Sequence, residues 1–223
     1  MSWFQDAQKW AESDRYFHWR IEYPEAFYDE DGSELDSQGF DAVIGNPPWV
    51  RSINLKAADN GLWRYYKENY ESAAKGEYDI YLCFVENGLS LLTETGKFGY
   101  IVPNKWFTSQ VGENLRSLLV QKGNLEQLVD FGSRQLFEGI TTYSCLLFMN
   151  TGGNDQVDIL KLDEDNTHTQ FPLPNQAGEW DYGTVDINSL GSDPWSFDIG
   201  PIGKIFDRLS DYPSLGSVAN IFQ

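Results

Sequence analysis

From Phe40 to Asn150 the sequence alternates short apolar runs with stretches of helical period. FDAVIG (40–45) is short, apolar and bounded by turn residues, which predicts a buried strand. DIYLCFVENGLSLLT (79–93) sets Ile80, Phe84 and Leu91 at helical spacing. Asp79 stands at its entrance, where a carboxylate suits a helix N-terminus, and Gly96 is expected to end the helix. KFGYIVPN (97–104) predicts a second strand, and VGENLRSLLVQKG (111–123) an amphipathic helix stopped by Gly123. LEQLVDF (125–131) and TYSCLLFMN (142–150) predict a third and a fourth strand. Strand, helix, strand, helix, strand restricts the chain to an α/β sheet with parallel members. The last two strands are joined by ten residues without a helical pattern, so they are expected to form an antiparallel pair at the sheet edge.

The flanks read differently. Residues 1–39 are aromatic-rich and irregular, with an acidic loop at 28–38. Residues 54–75, NLKAADNGLWRYYKENYESAAK, predict a surface loop with helical turns. Residues 151–200 carry Gly, Asn, Asp, Pro and short alternating runs such as VDILKL, which predicts a β-rich or irregular appendage. A last helix is expected at 200–210, with Pro201 suited to its start.

Composition excludes several classes. No apolar run is long enough to span a membrane, and MSWFQDAQKW has no basic start before an apolar block. Cys83 and Cys145 sit singly inside apolar runs, which predicts buried thiols and suits a reducing cytoplasm. His18 and His168 lie far apart without ligand spacing, so no metal site is expected. A formal charge of −18 argues against a general binder of phosphate backbones. The acidity is spread over loops such as YDEDGSELD (28–36) and KLDEDN (161–166), as on a solvated acidic surface, a salt-adapted protein or the partner of a basic domain.

The chemistry is concentrated where the first strand ends, in Asn46-Pro47-Pro48-Trp49. Ligands of open α/β sheets bind beyond the carboxyl ends of the strands. Two consecutive prolines fix φ and remove two N–H groups, so the turn presents carbonyls and the Asn46 amide with little freedom. Trp49 adds a flat apolar face. Acceptors beside a stacking plane complement a flat heterocycle that carries an amino group, such as an adenine taken out of its duplex. The Asn46 side-chain oxygen and the Pro47 carbonyl would hold the two amine hydrogens and aim the nitrogen lone pair at a methyl donor. Read without that chemistry, the same four residues are a rigid surface turn.

Three stretches together carry a family resemblance: FDAVIGNPPW, EYDIYLCFVENGLSLLTETGKFGYIVPNKW and LVDFGSRQLFEGITTYSCLLFMN. In order over about residues 17–150 they resemble the gamma-class adenine-N6 DNA methyltransferases, in particular type IIG restriction–modification enzymes and related phage-defence methylases. FHWRIEYPEAF (17–27) resembles the segment before the catalytic strand in that group. The resemblance implies catalytic roles for Asn46, Pro47, Pro48 and Trp49. It implies a place beside the cofactor, S-adenosylmethionine, for Asp79 and Tyr81, and a contact to the flipped base for Phe137. Asn104, Lys105 and Trp106 end the second strand on the same rim and could line the path of the base or the DNA. The implied fold is the C-terminal half of a Rossmann-like methyltransferase sheet.

One departure bears on the cofactor. These enzymes bind S-adenosylmethionine through a Gly-containing turn after an earlier strand, and a βαβ unit takes roughly 30 residues or more. Only 39 residues precede Phe40, and no G-x-G occurs among them. The expectation is therefore a piece of a longer protein, inactive alone, whose partners are the N-terminal half of the domain and double-stranded DNA. Residues 1–150 would be the partial catalytic domain, 151–210 an appendage and connecting helix, and 211–223 the start of a recognition domain that contacts DNA. Two other functions fit the same residues. One is methyl transfer to RNA or to a protein glutamine. The other is a non-catalytic scaffold in a defence complex, which suits the acidity and the absent cofactor loop.

Overall fold

The computed structural model describes residues 3–6, 8–9, 17–139, 141–162, 180–197 and 199. Six strands form one sheet: β1 (Phe40–Gly45), β2 (Leu92–Pro103), β3 (Leu125–Asp130), β4 (Ser144–Asn150), β5 (Gln156–Leu162) and β6 (Trp180–Asp186). Their order is β1-β2-β4-β3-β5-β6. The β1–β2 and β3–β5 pairs are parallel, and β4 runs antiparallel to both β2 and β3. The expected antiparallel pairing of β3 with β4 is present, but it lies inside the sheet. The β-rich stretch after Asn150 continues the sheet through β5 and β6, which pair antiparallel to each other.

Besides a single helical turn at Trp19–Glu22, the longer described helices are α1 (Ser52–Ala58), α2 (Asn60–Asn69), α3 (Ile80–Ser90) and α4 (Glu113–Lys122). The predicted helices at 79–93 and 111–123 thus correspond to α3 and α4, the latter closed by Gly123 at φ +61°. The predicted loop at 54–75 is instead mostly helical. Asp59 breaks the two helices apart and caps the second, its carboxylate accepting the Leu62 N–H at 2.9 Å. Trp63, Tyr66 and Tyr70 recur at helical spacing and pack against the core, which makes an amphipathic α2 of a stretch that reads as polar.

Gly96 does not end α3; it lies within β2. The strand starts at Leu92, and its register jumps from Phe40↔Leu92 to Ala42↔Lys97. A Cβ at Gly96 would come within 2.9 Å of the Phe40 carbonyl oxygen, so the close approach at this irregularity requires glycine.

The core lies on one face of the sheet. Phe98, Val102, Cys145, Leu147, Met149, Leu128 and Ile159 are buried there with Ile80, Val85, Leu115 and Leu119 of α3 and α4. On the other face Ile101, Leu146, Phe148 and Leu160 are only half-buried, and Ile44 on the edge strand is 83% exposed. Upstream, Trp19, Tyr23 and Phe27 gather edge-on or tilted around Phe40, with ring centroids 5.4–5.8 Å away, and fix the entry to β1. No described helix is long and apolar enough to cross a membrane. Among the described residues no three His, Cys, Asp or Glu side chains group as metal ligands would. The expected helix at 200–210, the segment 211–223 and His168 lie outside the described residues.

Candidate functional site

Asn46–Val50 leave the carboxyl end of β1 as irregular backbone. Within this turn Pro47 is buried and Trp49 half-buried against the core, while Asn46 and Pro48 are exposed. The turn is therefore anchored by its first proline and its indole, and it leaves the amide of Asn46 in solvent. Its downstream side is strapped to the entrance of α3. The Ile80 N–H donates to the Val50 carbonyl at 2.9 Å, the Ser52 N–H to the Tyr78 carbonyl at 2.9 Å, and Arg51 bridges Asp79 as a two-residue antiparallel pair. The Tyr78 N–H returns a bond to Ser52 Oγ at 3.3 Å.

Phe137 comes from the long β3–β4 connection, 88 positions beyond Trp49. The structure nevertheless sets the two rings edge to face, with centroids 5.6 Å apart and planes at 71°. The indole N–H of Trp49 is buried without an acceptor, an arrangement that costs about 1–3 kcal/mol unless a partner arrives. An exposed amide, a fixed carbonyl and two aromatic rings at right angles make a corner suited to a flat, amino-bearing ring.

The second strand supplies the neighbouring rim. Asn104 opens a short 3-10 helix, Asn104–Phe107, at the end of β2. Its side-chain amide donates to Asp130 Oδ1 at 2.9 Å and to the Gly132 carbonyl at 3.3 Å, and its backbone N–H to the Tyr143 carbonyl at 3.0 Å. Asn104 thus ties β2, β3 and the approach to β4 together, and its donors are spent within the fold. Lys105 is ion-paired with the Asp79 carboxylate, with side chains 44% and 5% exposed. The structure brings together two residues that the sequence assigned separately, one to the cofactor and one to the substrate. Tyr81 is fully buried, its hydroxyl has no hydrogen-bond partner, and burial pushes the phenol well above its ordinary pKa.

Arg116 is the residue that the sequence reading missed. It is 1% exposed, and its guanidinium donates to the carbonyls of Trp106, Ser109 (2.9 Å) and Ser192 (2.8 Å). Desolvation lowers its pKa, and Glu113 and Asp193 nearby act in the opposite direction. This one side chain joins the rim turn to the segment after β6, where Trp195 and Phe197 pack on Trp106 and Phe107. The available signal is its spacing: Arg116 stands three and four positions before Leu119 and Val120, on a buried stripe where a charge needs a stated partner.

A family profile described as Eco57I restriction-modification methylase matches residues 2–137, a span from the aromatic N-terminal segment to Phe137. The type II restriction enzyme and methyltransferase RM.Eco57I of Escherichia coli is 30% identical over 196 residues, covering 85% of this chain and 19% of that protein. The type II methyltransferase M.HincII of Haemophilus influenzae is 24% identical over 197 residues, 81% of this chain and 35% of that protein. The solved type IIG restriction endonuclease BpuSI aligns with 79% of this chain and 22% of its own, at 16% identity and a TM-score of 0.48. The chain thus spans about a fifth to a third of the length of these two curated relatives. With well over half of its length matched by that profile, the chain belongs to the Eco57I restriction-modification methylase family.

Proposed function

We propose that this chain is the target-base half of an adenine-N6 DNA methyltransferase domain, within a restriction–modification protein longer than the chain itself. The observation that carries the reading is the corner formed by Asn46, Pro47, Trp49 and Phe137 at the carboxyl end of β1. Asn46 Oδ1 and the Pro47 carbonyl accept the two hydrogens of the adenine amine. Delocalisation into the ring makes that nitrogen a poor nucleophile, and two acceptors in fixed places favour a pyramidal nitrogen with its lone pair free. The rate then comes from positioning and electrostatics, without a conventional base. Stacking against an aromatic face, about 1–3 kcal/mol per base, offsets part of the cost of extruding the base.

S-adenosylmethionine is the methyl donor that the family implies. Asp79 and Tyr81 do not by themselves fit it: the Asp79 carboxylate is engaged by Lys105, and Tyr81 is closed off in the core. Both serve this reading as braces of the turn, and the donor's site belongs to the parent protein. Relatives that are about two and a half to five times as long and a first strand at the edge of the described sheet support the same division.

The test is methylation of duplex DNA by the parent protein, read as N6-methyladenine by mass spectrometry. Asn46→Ala is expected to lower the rate by about 10²–10³-fold, the usual effect of losing one positioned polar contact in a transition state. Because Asn46 is exposed, the substitution should leave the thermal transition unchanged. An undiminished rate would overturn the reading. Methyl groups found only on RNA or on a protein amide would transfer the same geometry to a different substrate.

A further inference from the structure

The helical segment that follows the turn differs in charge from the rest of the molecule. Residues 51–75 carry five Lys or Arg against three Asp or Glu, in a chain that carries 16 against 34 overall. Arg51, Lys56 and Arg64 are exposed, and among the described residues none of them forms an ion pair. One of the acidic groups in the segment, Asp59, is engaged in capping α2. Exposed apolar and aromatic groups stand among these cations: Ile53, Leu62 and Tyr65. Lys56 Nζ lies 4.5 Å from the centre of the Trp63 ring, so that cation is held in place rather than free on its stem.

The position of this arm is fixed. Arg51 follows Trp49 by two residues and bridges Asp79. The inner face of α2 is pinned by the Tyr78 hydroxyl, which donates to the Trp63 carbonyl at 3.0 Å, and by the Tyr66 and Tyr78 rings, 6.3 Å apart. Lys67 is consumed inside this arrangement, donating to the Gly76 carbonyl. Cations in fixed places next to a base-binding corner match one occupant by charge. That occupant is the polyanionic backbone of the duplex from which the base has been extruded.

We infer that the α1–α2 arm, residues 51–75, is a docking surface for the DNA phosphate backbone beside the target base, with Arg51, Lys56 and Arg64 as its phosphate contacts; this rests on the adenine reading above. The arm departs from the expectation drawn from net charge. A net charge of −18 disfavours the approach of DNA to the chain at large, and the arm is a segment where the sign reverses.

The experiment is fluorescence anisotropy of the 223-residue chain with a short labelled DNA duplex, between about 50 and 200 mM salt. The comparison is with the triple variant R51Q/K56Q/R64Q and with Lys97→Gln, a cation midway along β2 that is paired with Glu126. Each phosphate contact contributes about −0.9 to the slope of log K against log salt, so the triple variant should lose about 2.7 of that slope. Lys97→Gln should lose none. Equal slopes in wild type and triple variant, or no duplex binding by the wild type at the lowest salt, would overturn the proposal. So would arm-dependent self-association in sedimentation without a change in DNA slope, since the arm would then meet the acidic surface of a second copy. Methylation by the parent is a separate readout. A lost slope with no methylation sinks the adenine reading alone, and methylation with unchanged slopes sinks the arm alone.

Discussion

At the scale of single residues, the chain keeps its two thiols closed in the core while the Asn46 amide stays exposed. Cys83 is buried in α3, and desolvation, slightly opposed by Ser72, pushes its thiol up to about 12. Cys145 on β4 is raised as well, again chiefly by burial. Both thiols therefore stay protonated in the fold at pH values where the unfolded chain would ionise them. Above about pH 9 the unfolded state binds fewer protons than the native one, so stability is full below that value and falls as pH rises toward 12. Urea midpoints should be flat from pH 7 to about 8.5 and should drop by pH 10.5, with Cys83→Ala reducing the drop. A midpoint unchanged at pH 10.5 would contradict the burial of these thiols. The sequence conveyed this scale unevenly. The turn over residues 46–49 at the end of β1 was legible because it is local. The pairings of Asp79 with Lys105 and of Asn104 with Asp130 join residues 26 apart, and no local pattern encodes such a distance.

At the scale of elements, the apolar periodicities that predicted α3, α4, β3 and β4 are strong because each of these packs apolar residues into the core. Strand β1, expected as a buried strand, is an edge strand with no fully buried residue because it has a neighbour on one side only. Helix α2 escaped because its buried stripe is made of Trp63, Tyr66 and Tyr70, residues whose polar tips and flanking Arg64, Lys67 and Glu68 disguise an inward face. The early start of β2 escaped for a different reason: Leu92–Gly96 reads as a helix end, and only the partner strand shows otherwise. Helix α4 carries a consequence that its apolar pattern conceals. Arg116 serves three carbonyls from two segments, so Arg116→Met leaves buried acceptors without donors. The expected loss is about 3 kcal/mol or more, from hydrogen bonds to a charged group worth about 1.5–3 kcal/mol each. Chemical denaturation should show it as a lowered midpoint, with protease sensitivity appearing first between Ser192 and Phe197. A change under about 1 kcal/mol would mean that water replaces the guanidinium there.

At the scale of the whole molecule, the described residues cover one face of the sheet and leave the other partly exposed. Ile44, on an edge strand, projects from the open face in line with Gly99 and Phe148. Such an edge, offering unpaired backbone groups beside apolar side chains, is a template for association. The chain should show concentration-dependent association in analytical ultracentrifugation, and Ile44→Lys should shift it toward monomer. A monomer at every accessible concentration would mean that residues outside the described set already cover this face.

The placement of β4 between β2 and β3 also sets an order of events during synthesis. Asn46 and Trp49 leave the ribosome early, whereas Phe137 and the strand that closes the sheet interior follow about 100 residues later. At roughly 5–20 residues per second the base-binding corner stays unassembled for about 5–20 s in each newly made chain. During that interval the indole of Trp49 has no Phe137 ring across from it, so the two sides of the corner meet only after β3 has been made.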